Sequence, residues 1–364
     1  MAASTVSGTL TVSSAGAITD TGVLSVTGAA SFGAGAGNGI TLDNANNFAS
    51  VLITSGKDVT LNDVNGLILV ASTVSGNLVI TAGGAVSQSG ALSVSGSTSL
   101  SAAGFDVTLS NSGNDFGGAV SVTGNNVSLA DRTAIALGAS AVSGTLTVRS
   151  TGSITDTGVL SVGGAASFGA AAGNAITLDN ANDFASVLIT YGRDVTLNDV
   201  NGLVFAASSI SGNLIVTAGG AVSQSGALAV SGTTSLTART AGTPDLYYDI
   251  ALTNASNDFV GAVSATGKNV TLVDKNAIAL GLKTVTGNLV VTAGGAVTNT
   301  DALLITGTTS VTATGFDVTL SNSGNDFGGA VSVTGNNVSL ADMTAIALGA
   351  VSYTHLTLPT KRIV

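Results

Sequence analysis

The chain has no cysteine and no tryptophan, and only one histidine and two prolines in 364 residues. Without cysteine, disulfide scaffolds, thiolate zinc sites and thiol nucleophiles are all excluded. Charged residues make up 8% of the chain, far below the roughly 25% of ordinary soluble domains. Disorder does not follow from this, because disordered chains are rich in charge and poor in Val, Ile and Leu, and here 45% of residues are apolar. Basic residues are few and scattered, with Lys361-Arg362 the only close pair, and the net charge is −10. That balance argues against a nucleic-acid partner, which needs clustered Lys and Arg to displace counterions. Apolar runs such as Leu67-Ile68-Leu69-Val70-Ala71 are far shorter than the roughly 18 residues of a membrane helix. A membrane β-barrel would want aromatic girdles, and aromatics are 4% here. No direct membrane span and no cofactor are expected.

What the chain does have is glycine, 49 residues of it, and a long repeat. The phrase [ST]-G-x-L-x-[VI] recurs at Gly8, Gly76, Gly144, Gly212 and Gly287, in steps of 68, 68, 68 and 75. Asn47-Phe48, Asp115-Phe116, Asp183-Phe184, Asp258-Phe259 and Asp326-Phe327 keep the same beat, as do Asp63, Asp131, Asp199, Asp274 and Asp342. A period of this length points to a solenoid, in which stacked units share one core.

Within the first module, short triplets such as Leu10-Thr11-Val12, Leu24-Ser25-Val26, Ile40-Thr41-Leu42 and Val59-Thr60-Leu61 place apolar residues two apart. This is the period of a strand with one buried face. Turn formers such as Asp43-Asn44-Ala45-Asn46 and Ser55-Gly56-Lys57-Asp58 separate them, and no capped helical pattern occurs. The reading is an all-β parallel β-helix of about three rungs per 68-residue module, with rungs stacked about 4.8 Å apart. It covers 1–352 as a single solenoid of five modules, 8–75, 76–143, 144–211, 212–286 and 287–352. A string of small β-sandwiches is the alternative, disfavoured by the short, even triplets and the missing core tryptophan. The opening Met-Ala-Ala-Ser-Thr lacks a basic segment and apolar core, so an internal fragment of a larger protein is expected. Residues 353–364, Tyr-Thr-His-Leu-Thr-Leu-Pro-Thr-Lys-Arg-Ile-Val, break the repeat and look non-native. Residues 104–139 and 315–350 are identical except for Arg132 against Met343, which suits a tolerant scaffold better than a tuned active site.

Four chemistries come into question. The recurring acids could hold Ca²⁺, but they lack the nine-residue spacing of calcium-binding rolls, and turn capping is the simpler role. The Asn-rich phrases read as turn and ladder residues beside a core Phe. Ice binding would want Thr-x-Thr on every rung, and intervening rungs carry Ser, Gly or Asn. The fourth module has seven extra residues around Ala241–Tyr248, and solenoids carry such insertions on their binding face. There, Arg239, Asp245, Tyr247, Tyr248 and Asp249 form the candidate ligand site, with tyrosines able to stack on sugars. A lone cluster of this kind is a weak case for catalysis.

Phrases such as Gly76-Asn77-Leu78-Val79-Ile80-Thr81-Ala82-Gly83-Gly84 and Gly124-Asn125-Asn126-Val127-Ser128-Leu129 resemble the repeats of filamentous-haemagglutinin-like proteins and autotransporter passengers. The resemblance covers residues 5–350. It implies a right-handed β-helix, secretion, display at the bacterial cell surface, and a part in adhesion or biofilm. No receptor-binding motif of that family is present. The expectation is a non-enzymatic, rod-like adhesive scaffold that meets host or neighbouring cell surfaces, glycans or copies of itself. The alternative is a carbohydrate-binding or carbohydrate-active β-helix that uses the 239–249 loop.

Overall fold

The computed structural model describes residues 1–281 and 283–353, so all but the first residue of the odd tail lies outside the described residues. Two compact units divide the chain, Met1–Ala185 and Ser186–Val364. Each is all-β, with parallel strands stacked turn upon turn as a β-solenoid, consistent with a right-handed parallel β-helix. No helix long and apolar enough to cross a membrane occurs among the described residues.

The strands form where apolar residues alternate with Ser, Thr or Asn. In Leu78–Ala82 the side chains of Leu78, Ile80 and Ala82 are buried while Val79 and Thr81 face out. Each buried side chain then sits on its counterpart one turn away, and the backbone bonds between turns satisfy the polar groups of both.

In the first unit the register traces three faces. One runs Val59↔Leu78, Leu78↔Thr98, Thr98↔Val120 and Thr123↔Ala141, a step of about one turn each time. The second runs Leu67↔Val86, Val86↔Val107, Val107↔Val127 and Val127↔Leu146. The third includes Ser72↔Leu92, Ser93↔Asp115 and Ile135↔Ile154. Three strands therefore make a turn.

Val127–Asp131 is the tenth strand after its repeat equivalent Val59–Asp63, so this repeat makes three and one-third turns. That agrees with about three rungs per module and adds a consequence. Leu78 lies on the first face and its equivalent Leu146 on the second. Equivalent residues do not stack; each module turns the pattern on by one face. Within this unit Asp63 and Asp131 therefore lie on different faces.

The second unit behaves alike. Val195↔Leu214 and Leu214↔Thr234 run on one face, whereas Leu289, the equivalent of Leu214, stacks between Val270 and Thr309 on another. The step Thr234↔Val263 is long because a hairpin leaves the turn there.

Phenylalanines plug the core of the first unit. Phe32 and Phe48 meet edge to face at 5.8 Å, and Phe168 and Phe184 repeat the geometry. The Ala-Gly-Gly phrase has a steric cause: a Cβ on Gly83 would lie 2.2 Å from the Val64 carbonyl oxygen of the turn below.

Candidate functional site

The polar residues that recur are spent on joining turns. Asn46, Asn114, Asn182, Asn257 and Asn325 are fully buried. Asn114 Oδ1 accepts the Leu92 N–H at 2.9 Å, and its Nδ2 donates to the carbonyls of Leu109 and Ala130 at 3.0 and 3.2 Å. One amide thus ties three successive turns. Asn257 and Asn325 repeat the arrangement within the second unit. A side chain one turn earlier completes it, Asp20 for Asn46, Gln88 for Asn114 and Gln224 for Asn257.

The recurring acids are caps as well. Asp63 Oδ2 accepts the Phe48 N–H at 2.7 Å and Oδ1 accepts that of Asn65 at 3.0 Å. Asp131 does the same for Phe116 and Thr133, and Asp274 for Phe259 and Asn276. Burial pushes the carboxyls of Asp63 and Asp274 up, and the two backbone N–H bonds offset only part of that. At Asp342 burial also pushes up, but bonds from Phe327 and Thr344 outweigh it and hold the carboxyl below its usual value.

A second ladder runs along exposed corners. Asp58 Oδ1 accepts the Asn77 N–H, and Asn77 Oδ1 accepts the N–H and hydroxyl of Ser97. Asp106, Asn126 and Thr145 repeat it, as do Asp249, Asn269 and Asn288. Among the described residues no group of three or more His, Asp or Glu is placed to hold a metal ion.

Of the five sequence-predicted site residues, three come together. Arg239 and Thr240 pair antiparallel with Tyr247 and Leu246, closing a hairpin on the solenoid. Arg239 Nη1 donates to Asp245 Oδ2 at 2.6 Å. The Asp245 charge and a bond with the Tyr247 side chain hold the guanidinium proton more tightly than usual. Asp245 also accepts the Gly242 N–H, which with Arg239 and Tyr247 keeps its carboxyl below the ordinary range. The cluster is self-satisfied: carboxylate, guanidinium and phenol already hold one another.

Tyr248 meets the hairpin through the Thr240 hydroxyl at 3.4 Å, and it and Asp249 also take part in a second arrangement. The Tyr248 carbonyl accepts the Lys268 N–H, and Asp249 Oδ1 accepts from Asn269 N and Nδ2 at 3.1 and 2.9 Å. Phe105-Asp106 and Phe316-Asp317 make the same bonds to Asn125-Asn126 and Asn336-Asn337. An aromatic-Asp dipeptide is therefore a regular feature of three modules, and Tyr248-Asp249 is one instance beside the inserted hairpin. Sequence reasoning grouped Tyr248 and Asp249 with the insertion and passed over the other two. Their common offset from the Asn-Asn or Lys-Asn pair twenty residues later was the signal.

No curated protein and no solved structure was found to match the chain. A family model described as repeats of unknown function (DUF5649) matches residues 1–55, 56–123, 124–190, 192–266 and 267–334. Its segments keep the spacing read from the sequence but start at another point of the module. With nearly all of the solenoid matched, the chain belongs to the DUF5649 repeat family.

Proposed function

We propose that this chain is a structural and adhesive segment of a large, secreted, non-enzymatic bacterial surface protein, akin to filamentous-haemagglutinin-like adhesins, and a scaffold for cell adhesion or biofilm. One observation carries the reading. The recurring Asn and Asp side chains are committed to bonds between turns, which leaves outward strands of mostly Ser and Thr. Such a repeat suits a stiff carrier, and repetition multiplies weak contacts into avidity. The test is attachment of beads coated with the protein to cell layers and to a growing biofilm. Coated beads should attach above the level of albumin-coated beads; equal attachment would remove adhesion and leave a spacer.

A second reading has one observation in its favour: the antiparallel hairpin places the half-buried Tyr247 beside Arg239 and Asp245. Sugar contact there should be lost in a Tyr247→Ala, Tyr248→Ala double variant. Unchanged retention on immobilised glycans would remove this reading.

A further inference from the structure

The hairpin shows a pairing of chemistries that recurs in open form. In it a tyrosine and a carboxylate close around the chain's own Arg239. At Phe105-Asp106 and Phe316-Asp317 an aromatic and a carboxylate are again close in the chain, here as exposed neighbours, and among the described residues neither carboxylate is in an ion pair. Both follow a turn whose glycine, Gly104 or Gly315, has φ near +80°, a conformation that favours glycine.

The rings are 46% and 47% exposed, although their backbones are fixed. Phe105 donates its N–H to Ala102 and accepts from Asn125, and Phe316 does the same with Ala313 and Asn336. Asp106 Oδ1 accepts from Asn126 N and from the side chains of Asn125 and Asn126, at 3.0 to 3.1 Å. Asp317 Oδ1 is held likewise. In each carboxylate one oxygen is anchored, and the ion pairs of the described residues lie elsewhere.

We propose that Phe105-Asp106 and Phe316-Asp317 are contact points for a lysine or arginine side chain of a basic polypeptide partner. This deepens the adhesive reading, on which it rests, by naming the chemistry of the partner. An aromatic face attracts an ammonium or guanidinium group and packs on its aliphatic stem. The neighbouring carboxylate supplies the counter-charge. The whole chain favours the same partner, with 20 acidic against 10 basic residues. Because both carboxylates are pinned beforehand, little side-chain ordering is lost on binding.

The test is binding of fluorescein-labelled decalysine to the full chain, read by anisotropy at low salt and at about 0.15 M salt. Phe105→Ala with Phe316→Ala leaves net charge unchanged and should weaken binding by roughly two- to fivefold per site. A charge control, Asp43→Asn with Asp301→Asn, removes two exposed acids elsewhere and should weaken it less. Arg239→Ala frees Asp245 and Tyr247 and should raise the number of decalysine sites. No decalysine binding, binding indifferent to the ring deletions, or a site count unchanged by Arg239→Ala would each overturn the proposal. Bead attachment is read separately, so the scaffold reading can stand while this one falls.

Discussion

Residues 104–139 and 315–350 differ only at Arg132 and Met343, yet they are not built alike throughout. In the first copy Val127–Asp131 is a five-residue strand covered by Leu146–Ser150, and Ile135 and Leu137 are 1% exposed. In the second, the equivalent strand is Val338–Leu340, paired among the described residues with Val318–Leu320 alone. Ile346 and Leu348, the counterparts of Ile135 and Leu137, are 37% and 60% exposed. Asp131 is buried and Asp342 only half so. Among the described residues the first copy's Val127–Asp131 has two paired neighbours and the second's Val338–Leu340 one, and their exposure differs accordingly. In a solenoid each turn is stabilised chiefly by its neighbours.

The largest expected effect breaks the comparison at its most buried point. Asn114→Ala strands the Leu92 N–H and the carbonyls of Leu109 and Ala130, at about 1–3 kcal/mol for each buried group left unpaired. Asn325→Ala strands the equivalent set, but Ala341 is partly exposed, so water can replace that bond. Hydrogen exchange across the flanking turns should show the larger loss of protection around Asn114. Equal losses would mean that coverage by the next turn is not what separates the copies.

Acid should divide the capping aspartates. Asp63 and Asp274 have carboxyls raised by burial above the ordinary 3.8. Their contribution is fully present below that value and is lost as pH rises through the raised folded value. Asp342, lowered from 3.8, contributes stability that is present above 3.8 and is lost as pH falls through its lower folded value. Carboxyl NMR titration should place Asp63 and Asp274 above Asp342; the reverse order would contradict the burial argument.

A smaller effect concerns hydroxyls. Thr98, Thr234 and Thr309 each bury an Oγ1 with no partner, where the first and third modules carry Ala30 and Ala166. Thr98→Val keeps the shape and removes the unpaired hydroxyl, and should raise the urea midpoint by up to about 1 kcal/mol in stability. A fall would show that the hydroxyl has a partner after all.

The smallest effect restores the one sequence difference. Arg132 Nη2 reaches Asp115 Oδ2 at 2.6 Å, so Met343→Arg should build the equivalent pair with Asp326. Exposed pairs contribute little, and the urea midpoint should not move measurably. A clear rise would mean that the second copy's surface is less solvated than its exposure indicates.

Much of this was legible in the residues. Leu78, Ile80 and Ala82 read as an inward row because alternation is a local property. Asp63 read as a turn cap because short acids bond nearby N–H groups. The places of Tyr248 and Asp249 were less legible, since a count of extra residues does not show which of them leave the turn. Arg239 pairs antiparallel with Tyr247, Tyr248 meets both the hairpin's Thr240 hydroxyl and the Lys268 N–H, and Asp249 stays on its corner with Asn269.

The sequence by itself determined the all-β class, the repeat and the inward side of each strand, because these follow from period-two patterning and turn chemistry within a few residues. Only the tertiary structure decided how many strands close a turn. That number depends on bend angles at corners and on register between residues some twenty apart, which no local pattern records. Ten strands at three to a turn leave one strand over between Val59–Asp63 and Val127–Asp131. That single strand sends Leu78 and Leu146 to different faces.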